Sequence, residues 1–262
     1  MTKLMDYDIS LKTASKVPEV VLGFWVIKIA ATTLGETGGD SLSMSLNLGY
    51  AISTVIFFGL FVVFVTAQIR ARAFHPFLYW AVIVATTLAG TTMADFSDRS
   101  LGFGYLGGSL ILFSLVALVL ASWHFTMGSV SVDHISSPKV ETFYWVTILF
   151  SNTLGTALGD WVADSGPGYE GGALIFAGGI AVVAALYFFT KTNRTFLFWS
   201  AFILTRPLGA TLGDLLTKPV ASGGLNLSRY SSSGVIACFM VICILLFPQR
   251  AGSHHGAVEL EN

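Results

Sequence analysis

Long apolar stretches separated by short polar breaks run from residue 19 to residue 247, and they alternate between two kinds. Four of them mix apolar residues with threonine, glycine and a few charges, and each carries a tryptophan: Glu19–Gly39, Phe77–Ala94, Glu141–Gly159 and Phe196–Gly213. Four cleaner stretches follow them in turn: Leu48–Ala67, Tyr105–Trp123, Gly171–Phe189 and Ser231–Phe247. Each is roughly 17–21 residues long, the length an α-helix needs to cross a bilayer core. Short connections, many of about ten residues, suit antiparallel neighbouring helices. The pattern predicts an all-α polytopic membrane protein of eight transmembrane helices.

The tryptophans Trp25, Trp80, Trp145 and Trp199 are each followed fifteen positions later by an aspartate: Asp40, Asp95, Asp160 and Asp214. Between them a fixed grammar recurs. A small or hydroxyl residue (Ala31, Thr86, Ser151, Thr205) precedes a polar one (Thr32, Thr87, Asn152, Arg206), and a glycine follows (Gly35, Gly90, Gly155, Gly209). A second small residue (Gly39, Ala94, Gly159, Gly213) stands immediately before the aspartate. Four copies at fixed internal spacing define an internal repeat of two helices. Successive tryptophans lie 55, 65 and 54 residues apart, so the longest interval separates the second repeat from the third, as duplication of a four-helix half requires. An even number of helices per repeat makes all four repeats parallel, with a pseudo-symmetry axis along the membrane normal. The predicted organisation is a lead-in over 1–17, repeats 1 and 2 over 18–124, a connecting loop over 125–139, repeats 3 and 4 over 140–247, and a tail over 248–262.

Composition agrees with burial in lipid. Of 262 residues 54% are hydrophobic and 11% charged, and mean hydropathy is +0.73, whereas soluble domains carry roughly 25% charged residues. A net charge of −1 without a basic stripe gives no reason to expect a nucleic-acid partner. The distribution of the fourteen Lys and Arg residues does matter. With both termini inside, Lys3, Lys12, Lys16, Arg70, Arg72, Lys139, Lys191, Arg194 and Arg250 fall on the cytoplasmic side, and only Arg99, Lys218 and Arg229 on the other. This positive-inside bias predicts a multi-pass protein of the inner (plasma) membrane with cytoplasmic termini. Cys238 and Cys243, five positions apart in one helix, face different directions and form no disulfide with each other. The polar N-terminal residues read as a cytoplasmic lead-in.

The candidate chemistry lies on the tryptophan helices. Gly35/Gly39, Gly90/Ala94, Gly155/Gly159 and Gly209/Gly213 are small-xxx-small pairs that let helices approach closely in lipid. The polar position shares that face, which predicts a centre lined by Thr32, Thr87, Asn152 and Arg206. Lys28, Thr32 and Glu36 form one stripe of about 80° on the first helix. Charges at that depth face a partner or a wet cavity, so Lys28 and Glu36 read either as buried structural links or as a proton- or ion-responsive pair. Arg206 precedes Pro207, which predicts a break in the fourth tryptophan helix and a need for an acidic partner, Glu36 first. Asp40, Asp95, Asp160 and Asp214, with Asp98 and Asp164 just beyond, predict an acidic outer rim that attracts cations. The tryptophans themselves read as interfacial anchors. His124, Asp133 and His134, and His254, His255 and Glu259, read as solvated loop and tail, and no metal is assigned. The chain has no nucleophile–base pair, phosphate loop or cofactor motif, so neither an enzyme nor a cofactor is expected.

Four tandem two-helix repeats, each with a tryptophan and a Thr-x-x-Gly-x-x-x-Gly-Asp-like ending, resemble the bacterial membrane-anchored proteins defined by a "repeat of unknown function". The resemblance runs from about Val17 to Phe247 and is carried best by Lys28–Asp40 (KIAATTLGETGGD). Repeat 2 departs from it at Ala94, and repeat 4 has Arg206 in place of threonine. The resemblance implies the fold and no particular activity.

Together these features predict a transporter of a small charged solute, with a cation, divalent or proton-coupled, as the first expectation. In that reading Glu36 binds the ion, Lys28 and Arg206 set its charge environment, Thr32, Thr87 and Asn152 supply oxygens, and the aspartates recruit the ion. An anion or zwitterion would instead use Lys28 and Arg206. A non-transporting membrane scaffold is the alternative from another class, and a passive channel comes third because the ring lacks identical residues. Expected partners are membrane lipid and a small ion or solute, with a homo-oligomer left open.

Overall fold

A computed structural model describes residues 15–132, 135 and 137–252. Among these the protein is all-α, with eight helices: α1 Leu22–Asp40, α2 Gly49–Arg70, α3 Pro76–Asp95, α4 Gly104–Met127, α5 Pro138–Asp164, α6 Gly168–Phe189, α7 Arg194–Thr217 and α8 Arg229–Leu246. The helices start where local chemistry permits. Pro76 and Pro138 occupy first-turn positions, where the missing N–H costs nothing. Ser137 accepts the Val140 N–H, and Asn193 Oδ1 accepts the Phe196 N–H at 3.0 Å. Single π turns, Ser41–Ser45 and Phe96–Ser100, extend α1 and α3 beyond their aspartates. Asn47 and Gly102, at φ 54° and 75°, then turn the chain back, a conformation both residue types tolerate.

The four tryptophan helices close into a ring: α1 packs on α3, α3 on α5, α5 on α7, and α7 back on α1. Glycine makes each junction tight. Gly35 faces Thr87, Gly90 faces Asn152 and Thr153, Gly155 faces Arg206, and Gly209 faces Thr32. A Cβ at any of these glycines would collide with the facing residue. One turn further on, Gly39 faces Thr91, Gly159 faces Ala210 and Gly213 faces Glu36, while Ala94 packs with Leu112, Val116, Leu154 and Ala157. The other four helices lie outside and are passed forward: α2 packs on α3, α4 on α5, α6 on α7, and α8 on α1. Each repeat therefore covers the inner helix of the next one.

Among the described residues six helices are long and apolar enough to cross a membrane: α2, α3 with its π turn, α4, α6, α7 and α8. The eight predicted spans are not all of that kind. The polar residues that α1 and α5 turn inward, Lys28, Glu36 and threonines on one and Asn152 and threonines on the other, lower their hydropathy. The outer helices expose large apolar side chains such as Val55, Val63, Leu110, Phe113, Leu118, Leu174, Val182 and Leu245, the surface expected of a multi-pass membrane protein.

The core lies at one end of the ring, where the helices begin. Trp80, Trp145 and Trp199 are buried and Trp25 half-buried. They pack with Phe24, Tyr79, Tyr144, Phe198 and Phe202, and the Tyr79 and Tyr144 hydroxyls lie 2.7 Å apart. The expectation of interfacial anchors is corrected by this layer: neighbouring helices bring the rings inward, where they meet phenylalanine and tyrosine rings in tilted and edge-on contacts. Residues 15–19 and 249–252 pair with each other beside the layer, and Gln249 accepts from Trp80 Nε1 at 3.1 Å. The Glu19 N–H donates to Arg250 O and the Gly252 N–H to Val17 O, both at 2.9 Å, and Lys16 Nζ reaches the buried Glu141 at 2.6 Å. Cys238 is exposed and Cys243 buried, both free, and His124 ends exposed in α4. Asp133, His134, His254, His255 and Glu259 lie outside the described residues, as do most of the 1–17 lead-in and the tail.

Glycine contact across the ring predicts a sharp positional contrast. Gly35→Val and Gly209→Val should each destabilise the fold by about 1–3 kcal/mol through overpacking. Gly59→Val and Gly178→Val, where an added Cβ meets nothing, should leave thermal unfolding of the purified protein unchanged. Equal melting of all four variants would dispose of the ring packing.

Candidate functional site

Going along the ring from the aromatic end, the inner helices present successive layers one turn apart. In the first polar layer the Thr32 hydroxyl donates to Thr205 O and the Thr87 hydroxyl to Ala31 O, both at 3.1 Å. Asn152 Nδ2 donates to the Thr86 hydroxyl at 2.9 Å, and its Oδ1 faces Lys28 Nζ at 3.4 Å. Lys28 also lies 4.1 Å over the Phe202 ring. These groups are buried, and each of Thr32, Thr87 and Asn152 is hydrogen-bonded to a neighbouring inner helix.

Arg206 leaves its own layer and crosses the axis. Its Nη2 donates to Glu36 Oε2 at 3.1 Å, Thr91 Oγ1 at 2.5 Å and Thr156 Oγ1 at 2.6 Å, and Nη1 donates to Thr32 O at 3.3 Å. Glu36, Thr91, Thr156 and Ala210 hold equivalent positions in the four repeats, and the guanidinium touches three of them. The arginine is fully buried, so it stops the axis midway. Glu36 is the partner that the sequence nominates for it. The helix break expected at Pro207 is absent: α7 is continuous through it.

The next layer holds Asp40, Asp95, Asp160 and Asp214. They are buried rather than displayed as a rim, because cations from the same end lie over them. Arg99 bridges Asp95 (3.0 Å) and Asp160 (2.9 Å), and Lys218 bridges Asp40 (2.8 Å) and Asp214 (3.1 Å). Arg229 stands 3.6 Å from Asp40. Burial disfavours the Lys218 ammonium, but Asp214 and Asp40 outweigh it and hold its pKa above the ordinary lysine range. Glu36, Asp40 and Asp214 each place a carboxylate oxygen within 4.8 Å of the others. Above them opens a polar cavity of about 280 Å³, walled by Arg99, Tyr105, Asp160, Asp164, Asp214, Lys218 and Arg229 among others.

The sequence singles out Glu36, Arg206 and the aspartates and pairs Glu36 with Arg206, but it does not nominate the threonines and cations that complete the site. Thr91 and Thr156 were legible as the repeat equivalents of Glu36. Arg99 and Lys218 each stand four residues after a repeat aspartate, a helical ion-pair spacing.

The family model described as "Repeat of Unknown Function (DUF347)" matches residues 23–74, 78–129, 143–193 and 197–250, so the chain belongs to that family. Neither a curated protein nor a solved structure matches the chain.

The buried charges predict a non-additive stability pattern. Arg206→Met strands Glu36 in the interior and should cost about 3–5 kcal/mol, whereas Arg206→Met/Glu36→Gln should recover most of that. Denaturation of the two variants and of Glu36→Gln in detergent measures the coupling. Additive effects would mean that the two side chains are independent.

Proposed function

We propose that this four-repeat protein is an integral membrane carrier for a small cation, with all eight helices spanning the bilayer as parallel repeats about an axis along the membrane normal. Side-by-side packing of α1 and α5 with the more apolar α3 and α7 supports eight spans. Tryptophans gathered at one end and aspartates at the other support parallel repeats. The aspartate end is the outer face in this reading, since Arg70, Lys139, Lys191 and Arg194 crowd the other, and the membrane is the bacterial inner membrane.

The carrying observation is an asymmetric path. A polar cavity opens onto buried carboxylates at one end, Arg206 and Glu36 close the middle, and packed aromatics close the other end. Such an arrangement matches a carrier poised toward one side better than a channel, which needs an open axis. The sign of the solute follows from pairing. At the cavity end Arg99, Lys218 and Arg229 are all matched to carboxylates and Asp40 Oδ1 has no hydrogen-bond partner among the described residues, whereas the deeper Lys28 faces Asn152 and the Phe202 ring.

One observation favours a second reading. The Arg206 network is fully buried and joins all four inner helices, as a non-transporting scaffold would require to fix its register. Flux separates the two. In sealed proteoliposomes loaded with divalent and monovalent cations and small anions, wild type should show saturable cation flux that Glu36→Gln reduces at least tenfold. Anion flux dependent on Arg206 would reverse the sign of the solute. No flux across the panel, with Glu36→Gln and Arg206→Gln only less stable, would establish the scaffold.

A further inference from the structure

The two bridged aspartate pairs are pseudo-twofold equivalents with different chemistry. Asp95 and Asp160 join repeat 2 to repeat 3, and Asp214 and Asp40 join repeat 4 to repeat 1. In each case the bridging cation stands four residues after the first aspartate, as Arg99 or Lys218. One turn deeper the first site has Thr156 where the second has Glu36. The first site is thus two carboxylates closed by arginine, which keeps its charge and forks rigidly between two acceptors. The second is three carboxylates closed by lysine, a point charge on a flexible stem.

We propose that Glu36, Asp40 and Asp214 form a binding site for a hard divalent cation, and that the Lys218 ammonium is its built-in competitor. The inference deepens the carrier reading and rests on it for its purpose, although binding itself needs no transport. Oxygens within 4.8 Å of one another can share one ion at Ca²⁺–oxygen distances of about 2.3–2.6 Å. An all-carboxylate set selects hard ions over soft ones.

A second observation points to a ligand. Asp40 is almost completely buried, yet its Oδ1 has no hydrogen-bond partner among the described residues, since Lys218 and Arg229 both approach Oδ2, while Lys218 alone reaches Asp214 Oδ1. A buried acceptor left bare is costly, and a cation beside it removes the cost. The ammonium of Lys218, between Asp40 and Asp214, marks where positive charge belongs. When Lys218 swings into the cavity, Asp160 and Asp164, which also line it, can receive the ammonium. Arg206 still neutralises Glu36, and the charges of Asp40 and Asp214 match one divalent ion. Arg229 is more exposed and at 3.6 Å adds a weaker, screened charge.

Mn²⁺ binding to the purified full chain, followed by loss of the free-ion electron paramagnetic resonance signal, tests this directly. Wild type should bind one Mn²⁺ that Ca²⁺ displaces, and Asp40→Asn and Asp214→Asn should weaken it at least tenfold. Lys218→Met should tighten it about tenfold and increase the rise in melting temperature that Mn²⁺ produces. Misfolding cannot mimic that gain. Arg99→Met should bind no additional ion, because Thr156 replaces the third carboxylate. Absence of Mn²⁺ binding in both wild type and Lys218→Met, or affinity in Lys218→Met no higher than in wild type, would overturn the site. Glu36-dependent flux of another cation would then leave the carrier reading standing. Mn²⁺ binding without cation flux would do the reverse.

Discussion

A guanidinium held in the dry middle of a helical ring sets the terms for everything around it. Arg206 keeps its charge in any surroundings the protein can offer, and an unpaired charge at that depth would outweigh much of the fold's stability. It is stabilised by acceptors from every other inner helix: Glu36 and the Thr32 carbonyl on α1, Thr91 on α3 and Thr156 on α5. Those acceptors reach it only because the helices approach closely, and they approach closely only because Gly35, Gly90, Gly155 and Gly209 have no side chain to hold them apart. Packing motif and buried charge are therefore one design. Each glycine admits the polar residue of the adjoining repeat, and one of those four residues is the arginine itself.

Outer helices complete the ring without entering it. Because α2, α4, α6 and α8 each cover the inner helix of the following repeat, no repeat can bury its own polar face alone. The repeat is thus a unit of sequence and not of stability, as in other architectures whose modules bury surface only against neighbours. The apolar belt faces outward and the polar residues inward, so lipid meets hydrocarbon while the axis keeps its charges.

Much of this was written in the chain. The eight helices follow the apolar stretches to within a few residues, though α5 extends farther at both ends and α4 runs on to Met127. The Glu36–Arg206 pair was legible because both are out of place in an apolar span and Glu36 was the one carboxylate at matching depth. The direction in which the tryptophans face was not, since an amphipathic ring suits a lipid interface and a protein interior equally. The fate of the aspartates was hidden for a related reason. A carboxylate at the end of a span reads as exposed until something covers it, and Asp40 and Asp160 are covered from distant segments, by Lys218 with Arg229 and by Arg99. Thr32 and Thr87 misled because a hydroxyl facing an axis looks available, whereas a carbonyl on the next helix already accepts from each.

Ring closure explains where the charges collect. Three of the four junctions join repeats that are consecutive in the chain, but α7 meets α1 with no covalent link. That junction carries Glu36–Arg206, Asp40–Lys218, the nearby Arg229, and the Ser233–Thr37 and Thr32–Thr205 hydrogen bonds, with Pro18 and Ala251 paired at its aromatic end. The α1–α3 and α5–α7 junctions, within each half, rely mainly on glycine and threonine. The α3–α5 junction, between the halves, has the Arg99 bridge. A ring held shut by ion pairs at one seam differs from one held shut by hydrocarbon. Its closure free energy depends on which cation sits between the carboxylates, so occupancy of that seam and the geometry of the whole ring are linked variables.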